Sequence, residues 1–168
     1  MISPAYVQVM ARYNRWQNKS LYGAADALDE AERMADRGAF FGSIHGTFSH
    51  LLWGDTIWMS RFDGWDAPGG GIPESPRMEL DWGALKTARA GADARIVDWS
   101  ERVAPEDLAG DLTWYSGAAG RELTKPRALL ILHLFNHQTH HRGQVHAMLT
   151  AAGARPDETD LPFLPEDA

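Results

Sequence analysis

The chain has 168 residues and no cysteine, and its 16 Lys and Arg against 23 Asp and Glu give a formal net charge of −7. Its length and 44% hydrophobic content predict a single domain over residues 1–168 with a real core. The basic residues form no block that could follow a phosphate backbone, so no nucleic-acid partner is expected, and disulfides, thiolate metal sites and a cysteine nucleophile are excluded.

The opening stretch, MISPAYVQVMARYNRWQNKS, lacks the charged-then-apolar pattern of a signal peptide, and no apolar run approaches a membrane span. The expectation is a soluble, cytoplasmic protein with no membrane partner. Ser3-Pro4 reads as an N-cap with proline at the first helical position. Tyr6, Val9, Met10, Tyr13, Trp16 and Leu28 then recur at mostly helical spacing, which predicts a first helix over residues 4–29.

A second helix is expected over residues 40–64, with Ile44, Phe48, Leu51, Trp58 and Phe62 in one stripe and Trp53 and Ile57 in another, so that two sides are buried. Three glycines and three prolines make residues 66–80 a long loop. Asp81 caps a third helix carrying Leu85, Ala88, Ala92, Ile96 and Trp99, which ends by Pro105. Residues 111–124, with Leu112, Trp114 and Leu123 around Gly-Ala-Ala-Gly, suit a small hairpin or an irregular connection.

Thr124 and Pro126 open a fourth helix that runs to Gly153, with Pro156 beyond as a stop signal. The tail reads as an extended strap that docks through Leu161, Phe163 and Leu164. The fold class is therefore all-α: a four-helix bundle, with a short hairpin between the third and fourth helices.

Five of the seven histidines fall in the segment HLFNHQTHHRGQVH, residues 133–146. On a helical wheel Leu130, Leu134, His137, His141, Val145 and Met148 share a sector about 80° wide, so His137 and His141 take core positions one turn apart. A single histidine on an apolar face is ordinarily a hydrogen-bonded core residue. Two at this spacing among aliphatic neighbours leave four ring nitrogens in need of partners, and metal binding becomes the stronger reading. His133, His140 and Gln144 lie on one flank, and His146 points nearly the opposite way. A third ligand must come from another helix, and His45 and His50, about 140° apart on the wheel, are both candidates.

Glu-x-x-His, His-Glu-x-x-His and Gly-x-Gly-x-x-Gly are all absent from the sequence. ARYNRWQN (11–18), FGSIHGTFSHLLWGDTIWMSRFDG (41–64) and HLFNHQTHHRGQVHAMLTAAG (133–153) make the chain resemble the DinB superfamily of damage-inducible bacterial proteins. The resemblance implies a four-helix bundle in which one histidine of the second helix joins a His-x-x-x-His pair of the fourth around a divalent metal. The matching positions are His50, His137 and His141, with His45 left to a structural role or to the mouth of the site.

The resemblance also implies a function. Characterised relatives include thiol-dependent isomerases and S-transferases, so the expectation is a metal-dependent enzyme that activates a low-molecular-weight thiol or water, working on a small-molecule substrate. The alternative is a non-catalytic stress-response protein that binds a metal or ligand. Zinc or nickel is the expected ion, and a homodimer the expected assembly. Tyr13, Trp53 and Trp58 are candidate walls of the pocket, and Arg142 a candidate clamp for a carboxylate.

Overall fold

The computed structural model describes residues 2–166. The first helix, α1 (Pro4–Ala25), starts as the sequence predicts, with the Ser3 hydroxyl accepting the Tyr6 N–H at 3.3 Å and Pro4 in the first turn. It ends at Ala25 rather than at residue 29, because Asp29 is a better cap than a helix interior residue. Its carboxylate accepts the Glu32 N–H at 2.8 Å and starts a separate short helix, α2 (Glu30–Met34).

Helix α3 spans Ile44–Phe62, not 40–64: Gly42, at φ 75°, closes a tight turn, and the Ser43 hydroxyl caps Gly46 N–H at 2.9 Å. Asp81 caps α4 (Trp82–Arg102), accepting the Ala84 N–H at 2.6 Å. Short 3-10 turns occupy Ser75–Arg77, Pro105–Leu108 and Leu161–Phe163.

The hairpin forms and is longer than expected. Strands β1 (Asp111–Ser116) and β2 (Arg121–Pro126) pair antiparallel from Asp111 opposite Pro126 to Ser116 opposite Arg121. Gly120 takes the left-handed turn position at φ 63°. The Thr113 and Thr124 hydroxyls bond at 2.7 Å, so Thr124 and Pro126 belong to the strand, and α5 (Arg127–Ala151) starts after them. The all-α expectation is corrected accordingly: the fold is mostly helical, with five α-helices and one two-stranded sheet among the described residues. Leu112 and Trp114, on the inward face of β1, pack on the helices.

Helix α1 lies against α4 and α5, and α3 against α5 and α4. Two apolar clusters fill the interior. One contains Val7, Ala11, Met59, Ile96, Leu134 and Phe135, and the other Leu21, Phe48, Leu51, Leu85, Val145 and Leu149. On each long helix the residues between these two sets are polar and buried: Asn14, Gln17 and Asn18 on α1, Asp55 on α3, Arg89 on α4, and Gln138, His141 and Arg142 on α5. Arg89 Nη1 donates to Asp55 Oδ2 at 2.7 Å and Nη2 lies 2.9 Å from Asp93 Oδ1, which also accepts from Asn18 at 2.9 Å.

The tail follows α1, but of the three apolar residues expected to dock it only Leu164 is half-buried, while Leu161 and Phe163 are 43% and 59% exposed. Polar side chains of α1 hold its backbone instead. Tyr13 donates to Thr159 O at 2.6 Å, Gln17 to Glu158 O at 2.9 Å, and the Ser20 hydroxyl accepts the Asp157 N–H at 2.8 Å. No helix among the described residues is long and apolar enough to cross a membrane.

Arg89→Ala is expected to lower unfolding stability in urea by about 3–5 kcal/mol, because it leaves two buried carboxylates without their cation. Simultaneous replacement of Asp55, Arg89 and Asp93 by apolar residues of similar volume should recover most of that loss. An Arg89→Ala effect under about 1 kcal/mol, the size of an exposed pair, would contradict the reading of a desolvated network.

Candidate metal centre

Helix α3 carries His50 and α5 carries His137 and His141 to one place. One ligand nitrogen from each lies within 4.8 Å of the others. The ring centroids are 5.1 Å apart for His50 and His137, 5.0 Å for His50 and His141, and 4.5 Å for His137 and His141. His50 and His141 are buried, and His137 is partly open. Gly54 makes the approach of the helices feasible: a Cβ there would stand 3.0 Å from His137 Cε1, closer than nearly any side chain allows.

Two of the three rings have their proton positions set from behind. The Ser75 hydroxyl donates to Ile72 O at 2.7 Å, so toward His50 Nδ1, 2.8 Å away, it can only accept. His50 therefore carries its proton on Nδ1 and points an Nε2 lone pair at His137 Nε2, 3.1 Å away. His141 Nδ1 likewise donates to Gln144 Oε1 at 2.7 Å, leaving its Nε2 free. This is the second-layer bonding that orients metal-ligating imidazoles. His137 differs, since its Nδ1 is buried without a partner.

Burial pushes His50 and His137 down to about 3, with neighbouring histidines adding to the effect. His141 is also lowered, by burial first, against the opposing bond to Gln144. Neutral rings at pH 7 are the form that binds metal.

The other sequence candidates divide. His45, buried, bonds through Nε2 to Glu79 O at 2.7 Å and anchors the loop before α4, away from the ligand set. His133 is exposed, 5.6 Å from His137 and edge-on to Trp58 at 5.2 Å. His140 is exposed beside His141, at 4.8 Å. His146 lines a separate cleft with Tyr13, Arg142 and Thr159. Trp53 does border the site, its ring 5.9 Å from His50 and its N–H bonded to Gly69 O at 3.1 Å. Tyr13 and Trp58 do not, because they pack on the tail and on Trp114 respectively.

Arg142 is no clamp at the site. It is buried, bonds to Asn14 Oδ1 and lies over the Tyr13 ring at 5.3 Å. Sequence reasoning missed Ser75, Gly54 and Phe41, whose ring stacks 3.7 Å from that of His50. Only Gln144, three residues after His141 on the same helix, carried a readable signal.

Ser75→Ala is expected to weaken Zn(II) binding about 10- to 100-fold, the usual effect of removing a bond that orients a ligand, as read by competition with a chromophoric chelator. Unchanged affinity would mean that packing alone orients His50. The metal-free protein should lose stability as pH falls below the ordinary histidine value of 6.5, where the unfolded chain takes up protons that His50 and His137 refuse until about pH 3. Urea midpoints measured from pH 7 to pH 4 check this, and the slope should shrink in His50→Gln.

The DinB family profile matches residues 1–168. A crystal structure of a DinB-like protein from Bacillus cereus ATCC 10987 superposes with a TM-score of 0.61 at 15% identity, covering 85% of this chain and 90% of that one, a likeness of fold. No curated protein matches the chain. With the profile spanning its whole length and the same fold in a DinB-like structure, the chain belongs to the DinB family.

Proposed function

We propose that His50, His137 and His141 hold a divalent ion, zinc or nickel, and that the protein is an enzyme activating a low-molecular-weight thiol or water against a small electrophile. The helical scaffold is read as a four-helix bundle with the hairpin as an addition. The observation that carries the proposal is the convergence of three neutral imidazoles, two of them with Nε2 lone pairs fixed by Nδ1–H bonds to Ser75 and Gln144.

The donor set fits such an ion. Three imidazoles leave coordination positions open, as in catalytic rather than structural sites. Among the described residues the charges that lower the three rings' pKa values are those of neighbouring histidines. An ion bound here would keep its full charge and would lower the pKa of a coordinated thiol or water toward neutrality. The residues themselves do the rest. Ser75 and Gln144 orient two ligands, Gly54 admits the third, and Phe41 and Trp53 flank His50 and keep water from its ring faces.

The absence of cysteine from the chain means that a thiol nucleophile would be supplied from outside. A second reading, a binder without turnover, draws on the burial of His50 and His141, 3% and 7% exposed.

Metal analysis of untagged protein should find one ion per chain, lost in His50→Ala, His137→Ala and His141→Ala. Conversion of electrophiles with a panel of thiols should disappear in the same variants. Stoichiometric metal without turnover across the panel would favour the binder, and protein that takes up no metal would sink both readings.

A further inference from the structure

Residues 39–42 form a tight turn over the histidine cluster. Gly42 N–H bonds to Ala39 O at 2.8 Å and Arg37 N–H to Gly42 O at 2.9 Å, while Gly38 and Gly42 take φ values of 72° and 75°. Only glycine adopts these angles without strain, so the backbone is set to present Phe40 and Phe41 at its tip. The turn sits close on α3: a Cβ on Gly46 would stand 2.7 Å from Phe41 O.

Phe41 stacks on His50 at 3.7 Å and 24° and reaches His141 at 5.3 Å, touching two of the three ligand rings. Phe40 meets Phe41 edge-on at 4.9 Å and is 78% exposed, the most of any large apolar residue described. Ile72, Met78 and Leu80 are exposed too, on the 66–80 loop that bonds His50 and Trp53. A lone exposed phenyl needs no explanation, but Phe40 is joined to Phe41 against the histidines, and the second loop bordering His50 carries exposed apolar side chains as well. Among the described residues, the charged groups nearest this turn, Asp36 and Arg37, lie on its far end at Gly38 and Gly42, while the faces meeting the histidines are the phenyl rings.

We propose that Phe40 and Phe41 form an aromatic platform beside the three histidines that selects a small electrophile whose reacting group is attached to an aromatic or apolar frame. The platform rests on the metal-site reading above. It extends that reading by naming the substrate class: the reacting group faces the three histidines and the flat apolar end lies on the phenyl rings. Phe40 and Phe41 are specificity-determining residues and take no part in bond making.

Acetohydroxamate and benzohydroxamate test this, because they chelate identically and differ only in a methyl or phenyl substituent. With Co(II)-loaded protein, titrated by visible absorption, benzohydroxamate should bind about tenfold more tightly than acetohydroxamate. That preference should fall at least about threefold in Phe40→Ala, whose side chain is too exposed to be needed for folding, with acetohydroxamate binding changed little there, and should fall further in Phe41→Leu. Equal binding of the two chelators, or a preference that survives both variants, overturns the platform while leaving the metal site standing. Failure to bind Co(II) removes the site itself and the platform with it, and the two failures are told apart by the cobalt titration that precedes the chelators.

Discussion

The buried polar layer is the constraint on which the rest of this fold depends. Each long helix switches from apolar to polar buried residues at one level and back again: Asn14 to Asn18 on α1, Asp55 on α3, Arg89 on α4, Gln138 to Arg142 on α5. Charges taken out of water are tolerable only when paired and bonded. A helix slipped by one turn would set Arg89 against leucine instead of Asp55, so the layer fixes the register that the apolar clusters alone leave free. The histidine cluster is continuous with this layer. His141 lies between Gln138 and Arg142, and Gly54, which admits His137, directly precedes Asp55.

The same logic organises the long loop. Residues 66–80 have few apolar contacts of their own, yet one side of α3 takes up their polar groups at successive turns. His45 bonds to Glu79 O, Ser49 donates to Ser75 O, and Trp53 donates to Gly69 O. These side chains at i, i+4 and i+8 form one strip on the helix. The loop in return contributes the Ser75 hydroxyl that sets the His50 proton. A segment that looks structureless in sequence is thus fixed by the helix it serves.

The helices, the hairpin and the histidine pair were legible because each rests on a local pattern: a cap followed by 3.6-residue spacing, a Gly-Ala-Ala-Gly turn, and i, i+4 histidines in an apolar stripe. The choice between His45 and His50 was not legible from geometry, since it depends on how α3 is rotated against α5, and the family likeness supplied it. Ser75 and Phe41 escaped notice because they reach His50 across loops, where no period relates sequence to space. Asp55, Arg89 and Asp93 were passed over for another reason. Read singly they look like solvated charges on a helix, and only α3 and α4 together show that Arg89 pairs with both carboxylates.

The three histidines of the cluster are not equivalent. His50 and His141 are aimed by hydrogen bonds behind the ring, which fix both tautomer and direction. His137 has no such bond on Nδ1 and is aimed by contact, its ring occupying the space a side chain at position 54 would need. A hydrogen-bonded imidazole resists both rotation and loss of its Nδ1 proton, and a bond to an acceptor makes its other nitrogen more basic. A ring held only by packing is the weaker donor and the freer to turn. His50 and His141 therefore form the fixed half of the cluster, and His137, partly open where the other two are buried, is the ring freer to turn.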